Sequence, residues 1–261
     1  MKLEPDWTRR SAIGGLAAMA IAARSAASPK LLSLDEVVRR NTRARGGAAA
    51  LDRMHSVLID VEIDEGGAKL NGRYAANKSG LVRVDVYAGG KFAGAEGIDS
   101  TGVWSWGKDR AEPSVATGAA NALQHGAEDK LYGWNRFPER GHKLALMPSQ
   151  TADGVTYAVV EIRYSTGHVS YFYVDPVSWQ AVRRRDERAF HPDVDQAKQQ
   201  IESRYFDFRS VAGVVAPHRD ADYDLATGKL LASHPVLRRR VNPALPADYF
   251  DRNRRAPLTW S

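Results

Sequence analysis

The chain has no cysteine among its 261 residues. That excludes disulfides, thiol nucleophiles and Cys-ligated zinc, and also the lipidated cysteine that tethers some exported proteins to a membrane. No apolar run reaches the roughly 20 residues that a membrane-spanning helix needs. Charge of one sign barely dominates: 37 basic against 31 acidic residues give a formal net charge of +6, so no nucleic-acid partner is expected. Catalytic signatures are equally scarce. None of the seven histidines falls in HExxH spacing, and there is no GxSxG elbow and no P-loop. Gly94-Ala95-Glu96-Gly97 is not followed by the helix start a phosphate cradle requires. His191-Pro192-Asp193-Val194-Asp195 could offer metal ligands but reads as a turn with solvated carboxylates. The expectation is a protein that is not an enzyme, with no metal and no cofactor.

What is present begins near the start of the chain. Arg9-Arg10 precede an uncharged stretch, Ser11–Ala23, of thirteen residues. It is too short for an anchor and is weakened by Gly14-Gly15. A basic region, a short apolar region and small residues at a cut site make an export signal. Ser25 and Ala27 stand at −3 and −1 if the cut follows Ala27. Thr8-Arg9-Arg10-Ser11-Ala12-Ile13 resembles a twin-arginine (Tat) signal, with Ala12-Ile13 in place of the usual Phe-Leu. An ordinary secretory signal and a retained segment are the alternatives. Residues 1–27 are therefore expected to be a Tat-like signal peptide, and residues 28–261 one domain in the periplasm, with no stable membrane anchor after cleavage.

Ser33-Leu34-Asp35-Glu36 fits a capping box, and an amphipathic helical pattern runs on to about His55, divided at Gly46-Gly47. From Val57 the period becomes two: Val57, Ile59, Val61 and Ile63 alternate with Leu58, Asp60, Glu62 and Asp64. Asp60, Glu62 and Asp64 are expected on an outward, solvated face. Similar short strands follow at glycine-rich turns, the fifth carrying Val103-Trp104-Ser105-Trp106, which predicts an antiparallel meander. Val115 to Tyr132 is Ala-rich and predicts one or two short helices. Strands resume at about His142 and continue to Arg240. The tally is about eleven or twelve strands with two or three helical segments.

Arg183-Arg184-Arg185 and Arg238-Arg239-Arg240 each fall on a strand, so the middle arginine faces away from its neighbours. These runs suit either a solvated edge that discourages strand addition or contact with an acidic headgroup or partner. Trp104 and Trp106 share a face, as do Tyr171 and Tyr173. Such aromatics serve a filled core or the wall of an apolar cavity, depending on the fold.

The order of these parts resembles the LolA/LolB-like superfamily of outer-membrane lipoprotein-sorting proteins. The likeness is carried by the helix ending in Gly46-Gly47 followed by "LDRMHSVLIDVEI", by "GIDSTGVWSW", by "VSYFYVDPVSWQAVRRR", and by "YFDFRSVAGVVAPHRDADYD"; the near-terminal "VNPALPADYF" is similar too. The resemblance implies a mainly β (α+β) fold: an unclosed antiparallel β-barrel of about eleven strands, with helices packed on its concave side. It also implies an apolar cavity for acyl chains, held by burial at roughly 25 cal/mol per Å². The family's carriers have an arginine before a proline ahead of the third strand. Here Asn77 and Lys78 take those positions without a proline, and Lys replaces Arg only in part.

The reading that follows is a soluble periplasmic carrier that is not catalytic and holds an acyl-chain lipid or lipoprotein. The alternative is an envelope-sensing or protein-interaction module on the same fold, with an envelope protein as partner. Strand alternation nominates Ile59, Val61, Tyr74, Val84, Val86, Trp104, Trp106, Ile162 and Phe172 to line the cavity. Lys78, Arg184 and Arg239 are nominated to meet a headgroup or partner.

Overall fold

The computed structural model describes residues 32–116, 118–190, 195–257 and 259–260. The expected signal segment and His191–Val194 lie outside the described residues. The capping box is as expected: Ser33 Oγ accepts the Glu36 N–H at 3.3 Å and opens α1, Leu34–Ala44. The chain then breaks at Gly46-Gly47 and α2 follows, Ala48–Arg53. The break has a steric cause. Gly46 has φ +110°, and a Cβ there would lie 2.0 Å from the Gly213 carbonyl oxygen. Beside it, Val215 N–H donates to Arg45 O at 3.0 Å, so the C-terminal end of α1 is pinned to a hairpin of the sheet.

The strands are β1 (Ser56–Glu65), β2 (Ala68–Asn77), β3 (Val82–Ala88), β4 (Lys91–Asp99), β5 (Gly102–Gly107), β6 (Ser114–Val115), β7 (Lys143–Ala152), β8 (Val155–Arg163), β9 (Val169–Val174), β10 (Ala181–Ala189), β11 (Lys198–Val211), β12 (Val214–Asp224) and β13 (Leu230–Val241). They form one antiparallel, unclosed sheet in the order β6-β5-β4-β3-β2-β1-β13-β12-β11-β10-β9-β8-β7. The count is thirteen, not about eleven. The extra strand is β6, two residues held on β5 by the pairs Trp104↔Val115 and Ser105↔Ser114. It straddles the start of the Ala-rich stretch read as helix from Val115, and a two-residue strand has no period to detect.

The two edges of the sheet, β6 and β7, are consecutive in sequence. The segment between them carries α3, Ala120–Leu131, and two short 3-10 turns, Trp134–Arg136 and Pro138–Arg140. α3 packs on β2, β3 and β4, while α1 packs on β7 and the first 3-10 turn. All three helices thus cover one face, the inner one. Under α3, Leu123, Ala127 and Leu131 meet Ile59, Ala76 and Val82. Under α1, Val37 meets Trp134, Val160, Ile162 and Phe172.

The outer face is also covered. Residues after β13 bring Phe250, Tyr249 and Leu245 against Leu58 and Ala75. Asp60 faces this side as expected but is not solvated: it is buried and bonded to Arg73 at 2.7 Å, with Arg240 at 3.5 Å. Arg83, 2% exposed, reaches Asp85 at 2.9 Å and the carbonyl of Asp251 at 3.2 Å. Among the described residues, no helix is long and apolar enough to cross a membrane.

Candidate ligand-binding cleft

The inner face is packed shut beneath α3 and opens beneath α1 and the far end of α3. There, helix side chains and β9–β13 enclose a cleft of about 220 Å³. Asn41 and Arg45 enter from α1, Asp129 and Lys130 from α3, and Trp134 from the first 3-10 turn. Across from them lie Phe172, Arg184, Ser203, Tyr205, Asp220, Asp222 and Arg239. Strand parity explains this set. Arg184 pairs with Ser203, Ser203 with Asp222 and Tyr205 with Asp220, so all point to one face. Arg183 and Arg185 point to the other, where both hold the buried Glu202. Arg239 pairs with Ile59, and Ile59 with Tyr74, which makes one inner row across β13, β1 and β2.

The nominated residues fall in several places. Phe172, Arg184 and Arg239 line the cleft. Ile59, Val61, Tyr74 and Val84 belong to the filled core under α3, and Ile162 to the core under α1. Val86 lies beyond that core, in a shallow pocket with Glu96 and Ser105. Trp104 and Trp106 do not line the inner face: Val103 does, and the two tryptophans pack outside with Phe92 and Ala95. Alternation fixes that they share a face but not which one, because here both faces are buried. Lys78 is also elsewhere. Its ammonium donates to Leu51 O at 2.8 Å and Asp52 O at 3.1 Å, closing the C-terminal end of α2. Arg45, Asp129, Lys130 and Asn41 were missed. They sit on helices, where a charge ordinarily faces water and no motif marks these four.

The carboxylates of the cleft are all engaged. Asp129 accepts from Tyr164 OH at 2.6 Å and lies 3.5 Å from Arg184; burial pushes its carboxyl up, against the pull of Arg184. Asp220 holds His234 at 2.8 Å, and Asp222 holds Arg188 at 3.1 Å. Behind the wall, Asp186 gathers Arg184 at 3.2 Å, Arg188 and His168. Burial opposes its charge, but these cations win and hold it well below the usual carboxylate range.

Three cations are differently placed. Arg45 donates only to main-chain oxygens at the end of α3, those of Tyr132 at 2.7 Å, Asp129 at 3.2 Å and Lys130 at 3.3 Å. Lys130 donates to Gly126 O at 3.2 Å and stands 4.7 Å over the Tyr74 ring. Arg239 donates to Pro217 O at 3.1 Å, and its buried Nε finds no acceptor among the described residues. Burial pushes the Lys130 ammonium down. Burial, with the charge of Arg45 next in size, brings Arg239 down to about 10.

A second depression, about 600 Å³ and open to solvent, runs along the other side of α1 past Leu34, Val38, Ala48, Pro138 and Leu144. Trp134 lines both it and the cleft.

The chain is similar to the crystal structure of a LolA superfamily protein from Nitrosomonas europaea, with a TM-score of 0.53 and 14% identity over 84% of this chain and 97% of that one. It is similar to the same degree to a DUF1329 family protein from Desulfovibrio piger, with a TM-score of 0.53 and 10% identity over 83% and 96%. At these identities the likeness establishes the fold. No family model and no curated protein matches the sequence.

Proposed function

We propose that the chain is a periplasmic binding or carrier protein that is not catalytic. It holds an acyl-chain lipid or lipoprotein by one end in the cleft between α1, α3 and β9–β13. The observation that carries this reading is the make-up of the cleft, which joins aromatic walls, Trp134, Phe172 and Phe208, to a polar floor on β11–β13. Such a site suits an amphiphile. At about 220 Å³ it lies below the ~300–1,000 Å³ typical of pockets that engulf a ligand. The head and first methylenes enter the cleft, and the rest of the chain follows the apolar depression beyond Trp134. In this reading residues 1–27 are a Tat-like export signal and the remainder is a single domain.

The test is to purify the full chain, extract it with organic solvent and analyse the extract by mass spectrometry. The stripped protein is then titrated with cis-parinaric acid. Co-purified lipid and saturable fluorescence are expected; a lipid-free extract together with no saturable binding refutes the carrier reading. One observation favours the second reading, a protein-interaction module of the envelope. The half of the inner face under α3, where a long acyl cavity would lie, is filled by side chains. A stoichiometric envelope partner on a lipid-free chain would decide for it.

A further inference from the structure

We propose that the cleft is an oxyanion site, in which Arg239 and Lys130 bind the carboxylate or phosphate of the ligand and Arg45 adds its positive field. The inference rests on the reading of the cleft as a ligand site and adds the chemistry of the group that enters. Arg45, Lys130, Arg184, Arg188 and Arg239 are all half-buried, and cations partly withdrawn from water are favoured beside carboxylates. Arg184 and Arg188 obey that rule, the first with Asp129, the second with Asp222, and both with Asp186. Among the described residues, Arg45, Lys130 and Arg239 have no bonded carboxylate. They line the same cleft, and their bonds go to main-chain oxygens alone. The nearby aspartates are committed to other partners, Asp129 to Tyr164 and Arg184, Asp220 to His234, and Asp222 to Arg188.

The donor inventory identifies which residues can receive an anion. A guanidinium has five N–H donors and an ammonium three. Arg239 uses a single one, on Pro217 O, and Lys130 a single one, on Gly126 O. Most of Arg45's fork is turned onto the end of α3, so it contributes charge more than hydrogen bonds. Arg45 depresses Arg239, and Arg239 depresses Lys130, while Asp220 pulls the other way on both and Asp129 on Lys130. A bound oxyanion removes that repulsion and meets the free N–H groups, with the planar fork of Arg239 suited to two of its oxygens. Asn41 adds a second unmet need. It is fully buried on the cleft wall, donates to Trp179 O at 2.8 Å, and its Oδ1 finds no donor among the described residues. A hydroxyl next to the anion would supply one.

The experiment titrates the full chain calorimetrically with palmitate, lysophosphatidic acid, an uncharged monoacylglycerol and inorganic phosphate. It compares the natural protein with Arg239→Met, Arg239→Lys and Lys130→Gln, each checked for folding by circular dichroism. The acidic amphiphiles are expected to bind at least about tenfold tighter than the monoacylglycerol. Arg239→Met erases that margin; Arg239→Lys keeps part of it. If Arg239→Met does not fold, Arg239→Lys and Lys130→Gln carry the same comparison. Palmitate against lysophosphatidic acid separates carboxylate from phosphate. Equal binding of charged and uncharged amphiphiles, unmoved by the substitutions, overturns the oxyanion site while the carrier reading stands. Phosphate binding that needs Arg239, with no amphiphile bound, keeps the site and removes the carrier reading. No binding of any probe removes both.

Discussion

Replacing Arg239 by methionine should make the lipid-stripped protein more stable. Arg239 sits on β13 opposite Ile59, with its Nε buried and without an acceptor. Its guanidinium is held at about 10 rather than 12.5. At ~1.36 kcal/mol per pH unit, keeping it charged costs roughly 2–3 kcal/mol, allowing for the water that reaches it through the cleft. The substitution also loses the bond to Pro217 O, worth about 1 kcal/mol. Methionine retains most of the apolar stem in the inner row. The net gain is about 1–2 kcal/mol, in line with the known effect of exchanging buried charge for apolar volume. In a domain of this size that raises the melting temperature by roughly 2–4 °C per kcal/mol. Urea unfolding at pH 7, followed by tryptophan fluorescence, measures it directly. Added phosphate should stabilise the natural protein and leave Arg239→Met unmoved. A variant less stable than the natural protein by about 1 kcal/mol or more would falsify the idea that this cation is held at a cost.

Other parts of the fold give independent checks. Gly46→Ala forces a Cβ to within 2.0 Å of Gly213 O at φ +110° and should cost on the order of 3 kcal/mol or more. Gly47→Ala, at φ +87° and ψ 160° with nothing within 4 Å, carries backbone strain alone and should cost about 1–3 kcal/mol; a loss as large as that of Gly46→Ala in chemical denaturation would contradict the steric account. Asp85→Ala strands the buried Arg83 and should cost about 3–5 kcal/mol, more than replacing both residues by apolar ones. His125 bonds Thr166 at 2.8 Å and stacks on Tyr164. Burial first, then the charges of His168 and His142, hold its imidazole down to about 3, against about 6.5 in the unfolded chain. The unfolded chain binds more protons between those values, so stability falls as the pH drops from about 6.5 towards 3. His125→Gln should flatten that part of the pH–stability curve, and an unchanged slope would show that other groups set it.

Much of the architecture was legible because local rules and tertiary packing agree. Ser33 capped the helix it was read to cap, and the period-two stretch from Val57 became β1. The parity of the arginine triplets held as well: Arg184 and Arg239 entered the cleft while Arg183 and Arg185 stayed outside. Trp104 and Trp106 failed for a physical reason. Alternation carries no label for inside or outside when the tail after β13 buries the outer face as thoroughly as the helices bury the inner one. Asp60 failed for the same reason, since the tail makes an outward carboxylate a buried one. The charged cleft had no sequence signal. Arg45 and Lys130 line one cleft with Arg239 only because α1 is pinned at Gly46 and α3 lies in the segment that connects the two edges of the sheet.

The order of strands also sets when the cleft comes into being. Each half of the sheet is a meander that can zip up through neighbouring hairpins, β1 to β6 and β7 to β13. The seam between them joins Val57 to Val241, a contact between parts of the chain far apart in sequence and so slow to find. Arg239 lies on the last strand to join that seam. While the chain is being made, the first six strands and α3 can assemble with no cleft at all, and β13 brings both the closing seam and the main anion-binding group in one step. A ligand that needs Arg239 therefore cannot be captured by a half-finished chain. A lesion in β13 should abolish binding and, by leaving β1 and β12 as open edges, expose two long strands to aggregation.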